Sequence, residues 1–349
     1  MFSLGGSTMK KVLKKSLWMV SILLFTISMT GCGSKQDDGV QRYAWPLGTS
    51  SPEDTVTQIY AVKFAEEVEK LSDGKMKIQV YPNSVVGGDR ELLESCKDGD
   101  IPFVVQNTAP QVTFMNDIAV FDMPCVYSDI NQVREAIDDE SFMEQISKVY
   151  KNGGYELLGY ADQGFRVMST NKNVTSIEDF KGQKIRTMEN SFHLQFWKAL
   201  GANPTPMTFS EVYIGLQQGT IDAQENPFEV IVSNKLYEQQ DYIVETNHLP
   251  HLISLIVSDS FMQELDKDQQ EIIRQAAATA REYARQQSDE RIAGRVKIIE
   301  ESGTKITKLD DATYQEIQNR AQGVYESIAE NVNPNLIKSY VAKQDNIDF

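Results

Sequence analysis

The stretch 182–227, GQKIRTMENSFHLQFWKALGANPTPMTFSEVYIGLQQGTIDAQENP, carries the most information about how this chain is built. It reads as a strand ending in Arg186, a helix starting at Asn190 or Ser191, a loop with Phe209 ahead of the N-cap Ser210, a second helix, and a strand running into Asn226. That is at least one βαβ unit, and open α/β sheets bind ligands at the carboxyl ends of their strands. A guanidinium placed there, at Arg186, can grip a carboxylate through two parallel charge-assisted hydrogen bonds, with helix N–H donors beside it. An ordinary salt bridge is the plainer alternative, and the same two readings apply to Arg166 on a preceding strand. Asn226, held before Pro227, either offers its amide to a ligand or makes a turn. Phe209 either covers a ligand's apolar skeleton or packs in the core.

Working outward, the chain opens with a targeting pattern. Lys10, Lys11, Lys14 and Lys15 form a basic region, residues 17–29 are apolar, and Met29-Thr30-Gly31-Cys32 resembles a bacterial lipobox. The expectation is a signal peptide over 1–31, a lipidated Cys32 and a polar tether over 32–42, with Met9 as a second possible start. The apolar run falls short of the ~20 residues that span a bilayer. The 349-residue chain has a formal charge of −16, and removing four lysines and no acids with residues 1–31 takes the rest to −20. So acidic a body argues against a nucleic-acid partner, but a local arginine pocket is invisible in the sum. Cys96 and Cys125 lack CxxC or zinc-like spacing and sit among apolar residues, which favours buried free thiols over a disulfide.

Between residues 43 and 107 the pattern alternates strand and helix, implying a mainly parallel sheet with helices on its faces. Amphipathic helical patterns fill 130–149, strands follow at 155–161 and after Gly164, and 252–257 is a strand that can return to the first sheet. Residues 266–302 contain no Pro and almost no Gly, so they read as one long helix of ~55 Å at 1.5 Å per residue, able to bend near Gly294. No HExxH, GxSxG, GxGxxG or Walker loop occurs. His193, His248 and His251 have no acidic cluster at ligand spacing and read as surface or hinge-packing residues. No metal, cofactor or catalytic set is expected.

SDGKMKIQVYPNSVVGGDRELLE, FDMPCVYSD, KGQKIRTMENSF, ALGANPTPMTFSEVYIGLQQGTIDAQENP and the long late helix occur in an order that resembles the solute receptors of tripartite ATP-independent periplasmic (TRAP) transporters, the DctP type. The resemblance runs from about Tyr43 to beyond Gly303. It implies an α/β, bilobal periplasmic-binding-protein-like fold, with lobes at 43–163 plus 252–291 and at 164–251 plus 292–349, spanned by the long helix. It implies an extracytoplasmic receptor, which the lipobox-like Cys32 would anchor by lipid to the cell membrane, that closes on a small organic acid and hands it to the small and large TRAP membrane subunits, with no chemical step. In this resemblance Arg186 grips the carboxylate, Arg166 assists, and Asn226 and Phe209 complete the general contacts. Specificity falls to the first lobe, at Trp45 and Thr49 in the loop 45–50, Asp89, and the pair Gln106 and Asn107. Where the sialic-acid-binding branch carries asparagine and glutamate, this chain has Pro46 and Asn107, which argues against sialic acid. Sugar acids, hydroxy or keto acids and dicarboxylates all stay open. A ligand-sensing lipoprotein coupled to a signalling partner would share the fold, whereas a secreted hydrolase is opposed by the missing nucleophile and metal motifs.

Overall fold

The computed structural model describes residues 42–344, so the signal segment, the tether and Cys32 lie outside the described residues. β1 (Tyr43–Gly48) leads into α1 (Val56–Leu71), which starts at Val56 and not at Asp54 because Thr55 is extended and its hydroxyl accepts a hydrogen bond from the Gln58 N–H. β2 (Met76–Tyr81), α2 (Asp89–Asp98) and β3 (Phe103–Asn107) follow. The amphipathic stretch beyond residue 130 is two helices, α3 (Ile130–Ile137) and α4 (Glu140–Gly153), divided where Asp139 turns extended and caps the second. β4 (Tyr155–Phe165) then crosses to β5 (Val167–Thr170). The central stretch supplies β6 (Lys184–Thr187), α5 (Ser191–Ala199), β7 (Asn203–Pro206), α6 (Val212–Gln217), β8 (Ala223–Asn226) and α7 (Phe228–Ser233). After β9 (Tyr242–Glu245), β10 (Pro250–Ser258) returns, followed by α8 (Asp259–Glu264), α9 (Lys267–Glu301), β11 (Lys305–Lys308), α10 (Asp311–Asn331) and α11 (Pro334–Tyr340).

Two sheets result, ordered β2-β1-β3-β10-β4 and β11-β9-β5-β8-β6-β7. β1 pairs in parallel with β2 and β3, and β6 with β7 and β8, as the βαβ rhythm requires. β10 runs antiparallel to both its neighbours, and so does β5. These strands come across from the opposite sheet and are not delivered by a helical crossover, so nothing holds them parallel. The expected parallel sheet is therefore mixed, with the reversed strands at the two crossings.

α1 and α9 cover one face of the first sheet, burying Phe64, Val68 and the alanines Ala276, Ala277 and Ala280 against Phe103, Val105 and Leu255. Each large apolar side chain so buried contributes ~1.5–3 kcal/mol. The small alanine stripe lets the long helix sit close. α9 runs unbroken through Gly294 and reaches the second sheet, where Ile299 joins Val167, Val212 and Ile243. α11 departs from the expected division, because Leu336, Ile337 and Tyr340 pack with Phe121 and Phe142 and so place it on helices of the first sheet. At the end of β1, a Cβ on Gly48 would sit 2.3 Å from Leu92 Cδ2, so any larger residue there would force the Leu92 side chain of α2 to move.

One ion-pair cluster ties α9 to both sheets. Arg295 Nε donates to Glu229 at 2.7 Å and Arg291 Nε to the same carboxylate at 2.9 Å, while both arginines reach Asp54 in the β1–α1 loop. Glu229 is buried and Arg295 nearly so. Removing the sole partner of a buried charge costs ~3–5 kcal/mol. Because Arg291 remains, Arg295→Ala should lower the unfolding free energy by a smaller amount, on the order of 2 kcal/mol, and by more than Arg291→Ala, as read from urea denaturation; equal losses would contradict the burial argument.

Candidate functional site

The carboxyl ends of β1, β3, β6 and β8 converge on a cavity of about 280 Å³, and a recess of about 30 Å³ shares Ser50, Asp89, Arg186, Met188 and Phe209 with it. A larger groove of about 560 Å³ lies between α4 and α11, but Glu144, Lys338 and most of its other lining residues are solvent-exposed and it has no buried charge. The smaller cavity is the candidate site because a buried guanidinium opens on it.

Arg186 is 2 % exposed. Its Nε and Nη2 donate to the Met207 carbonyl at 2.9 and 2.6 Å, and the guanidinium carbon lies 6.0 Å from the Phe209 ring centroid. Among the described residues no carboxylate comes within the 4.0 Å of an ion pair, and Nη1 has no protein acceptor. Burial pulls its pKa down to about 10, the opposite of what a paired arginine shows. It stays charged at neutral pH, but at an energetic cost that an arriving anion would relieve.

Beside it lies a compensated cluster. Arg166, which directly follows β4, is also fully buried and donates through Nε and Nη2 to both carboxylate oxygens of Glu225, through Nη2 to the Glu225 carbonyl at 2.6 Å and to Asn226 Oδ1 at 3.2 Å, and through Nη1 to His251 Nδ1. Burial would raise the Glu225 carboxyl, yet Arg166, His193 and His248 outweigh it and hold it well below the usual range. His193 Nε2 donates to Asp122 at 3.0 Å. Burial pushes His193 down, but Asp122 and Glu225 win and raise it to about 9. His251 is held well below its ordinary value by burial and by Arg166, so it is neutral, with Nδ1 as acceptor. Asn190 caps α5 through Oδ1 while its Nδ2 donates to Asp122 and to the Ala109 carbonyl, linking the second lobe to the first.

The structure therefore sorts the expected site residues. Arg186, Phe209, Asn226, Asp89 and Asn107 all border the cavity or its recess. Arg166 does not; its donors are taken by Glu225, Asn226 and His251, and these hydrogen bonds fix the Asn226 and His251 side chains. Trp45 lies short of the strand's end and is half-buried, packing at 5.1 Å edge-on to Phe261 and beside Phe103 against the core and away from the cavity. Thr49 is buried and shapes its loop, its Oγ1 accepting from the Ser51 N–H, so that Ser50 and Ser51 face the cavity instead. Gln106 and Asn107 cannot both face it, because strand side chains alternate. Gln106 pairs with Ser254 on β10 and turns to the other face, where its amide has no partner among the described residues. The histidines are not surface residues: all three are buried, and they surround Glu225 and Arg166. Their number was a weak signal, although Leu249 and Leu252 beside them pointed inward. Cys96 and Cys125 are free and buried, and burial lifts the Cys125 thiol to about 12. No group of side chains suited to a metal ion occurs among the described residues, and no described helix is long and apolar enough to cross a membrane.

The raised His193 pKa sets a sign for pH dependence. A histidine at ~6.5 unfolded and about 9 folded contributes stability that is complete below pH ~6.5 and lost as pH rises through about 9. The unfolding free energy should fall across that window by at most ~1.4 kcal/mol per pH unit from this group, and the melting temperature with it. His193→Gln, melted alongside, should flatten the slope; an unchanged slope would exclude His193 as its source.

Residues 47–331 match the family described as bacterial extracellular solute-binding protein, family 7, DctP. A solute-binding protein from Roseobacter denitrificans is 30% identical over 299 residues, covering 84% of this chain and 90% of that protein. The sugar acid binding protein DctPAm of Advenella mimigardefordensis, solved with galactonate, superposes with a TM-score of 0.83 at 27% identity, covering 87% of this chain and 98% of that one. A TRAP periplasmic solute-binding protein of Sulfurospirillum deleyianum, solved with succinate, gives 0.81 at 29% identity, with 86% and 99% covered. The bilobal α/β fold, the cavity between its sheets and these matches together place the chain in the DctP family of TRAP transporter solute-binding proteins.

Proposed function

We propose that this protein is the receptor component of a TRAP transporter, that it captures a small organic acid through Arg186, and that it delivers the acid to the transporter's membrane subunits without chemical change. The observation that supports this most is the buried Arg186 guanidinium, which opens on a cavity and has no carboxylate partner among the described residues. A ligand carboxylate fills that vacancy in charge through the free edge of the guanidinium, with Phe209 against its carbon skeleton and Asn226 in the adjoining recess. The Ser50–Ser51 loop and Asp89 belong to the first lobe and Arg186 to the second, so a ligand touching both favours the closed state by its differential affinity for it. Extracytoplasmic anchoring through a lipidated Cys32 belongs to the same proposal.

The test is a thermal-shift and calorimetric screen of the purified protein against organic acids. A ligand at 100 times its dissociation constant adds ~2.7 kcal/mol of stability. Arg186→Ala should weaken binding by about 2–5 kcal/mol. Arg186→Lys should also weaken it, because an ammonium cannot hold the Met207 carbonyl and a carboxylate with the same planar fork. No response to any carboxylate, or an undiminished response in Arg186→Ala, would overturn the assignment.

A further inference from the structure

We infer that this receptor takes a monocarboxylate whose tail carries hydroxyl groups, and that Asp89 is the residue that excludes a second carboxylate from the far end of the cavity. The inference rests on the reading of the cleft as an organic-acid site and concerns only what the rest of the ligand must be. It starts from a count of charges. The cavity and its recess are bordered by two permanent cations, Arg186 and Arg90, and by three carboxylates, Asp89, Glu91 and Glu189. Arg90 is half-exposed on the rim and already engaged, with Glu94 at 3.3 Å, Glu189 at 3.8 Å and the Phe114 ring at 5.5 Å. The third nitrogen base, His251, is neutral and spends Nδ1 on Arg166. One cation is therefore left for the ligand, and it serves one carboxylate.

The first-lobe wall offers the opposite chemistry. Asp89 accepts a hydrogen bond from the Ser50 hydroxyl at 2.6 Å, and no cation comes within ion-pair distance of it among the described residues. It stands with Ser50 on both the cavity and the recess, alongside Ser51 and Asn107 in the recess and Thr113 and Thr208 in the cavity. As a carboxylate it accepts from ligand hydroxyls; as an acid it donates to a hydroxyl oxygen. In neither state does it supply positive charge, and once a ligand carboxylate has neutralised Arg186, Asp89 faces no other unengaged cation. While Asp89 is ionised, a second ligand carboxylate against this wall meets like charge, which costs several kcal/mol in an interface shielded from water. A hydroxyl in the same place meets donors and acceptors. A zwitterion is the other ligand that suits an acid opposite an arginine, and a quaternary ammonium in particular is held by aromatic faces. Among the described residues the one aromatic ring bordering the cavity, Phe209, already lies against Arg186.

Matched ligand pairs test this with one change each. D-Galactonate and galactarate differ only in whether the last carbon is a hydroxymethyl or a carboxylate, as do D-erythronate and meso-tartrate. Calorimetry on the purified protein should show at least one of the two monocarboxylates binding at least tenfold tighter than its dicarboxylate counterpart. Asp89→Asn, verified as folded by circular dichroism, should shrink that ratio at least tenfold, mainly by improving the dicarboxylate. Dicarboxylates binding as tightly as their partners, succinate or the zwitterion ectoine binding tightest, or a ratio untouched in folded Asp89→Asn would each overturn the inference while leaving the Arg186 site in place. Failure of every carboxylate would overturn the underlying reading and this inference with it. The wild-type comparison needs no variant, so it decides the matter even if Asp89→Asn does not fold.

Discussion

The buried ion pair between Arg166 and Glu225 is the constraint from which the site follows. Both side chains are essentially inaccessible, and removing two charges from water is compensated only when geometry is good and the remaining hydrogen-bonding positions are filled. Here they are filled: the carboxylate also takes His248, and the guanidinium also takes Asn226, His251 and a backbone carbonyl. The pair sits where the chain crosses from β4 to β5 and back through β10, with the Arg166 N–H held by the Leu249 carbonyl. It ties both crossing segments together with the end of β8.

Its main consequence concerns a different residue. β8 lies beside β6 in parallel register, which brings Glu225 near Arg186 as well as Arg166, yet Glu225 engages Arg166. Arg186 is left buried, charged and without a carboxylate, anchored by one backbone carbonyl and flanked by Phe209. Burial of an uncompensated charge is unfavourable. An anion beside Arg186 would supply the missing charge without having to displace one. The first lobe adds Asp89 and a wall of hydroxyls and amides, so the two sides of the cleft have opposite electrostatic character.

Much of this was legible in the residues. Strands and helices in 182–227 follow their apolar spacing, Asn190 is an N-cap as its position before the apolar run suggested, and the 35-residue α9 is what a stretch without Pro predicts. Arg186 and Asn226 border the cleft because they stand at or next to the carboxyl ends of β6 and β8, while Asp89 and Asn107, expected from the resemblance, reach it from the start of α2 and the end of β3 and Phe209 from the loop ahead of α6. The failures share a cause. Trp45 was placed in the right loop region but on the core side of its strand, and Gln106 was paired with Asn107 although adjacent strand residues point to opposite faces. In the loop 45–50 Thr49 turns inward to cap the Ser51 N–H, and Ser50 and Ser51 face the cleft, which only the loop conformation decides. Arg166 shared Arg186's local pattern but not its surroundings, because its partner lies 59 residues away.

The sequence by itself determined the family, the two-sheet α/β architecture and the strand ends on which a ligand would be read, because these depend on local periodicity and on motifs of contiguous residues. Only the tertiary structure decided which charges cancel. Arg166, His193, His248, His251, Asp122 and Glu225 are scattered from residue 122 to residue 251 and meet at the crossing between the sheets. Coulomb interactions act through space with no regard for chain order, so which arginine is paired with a carboxylate and which is left without one could be settled only once the chain had folded.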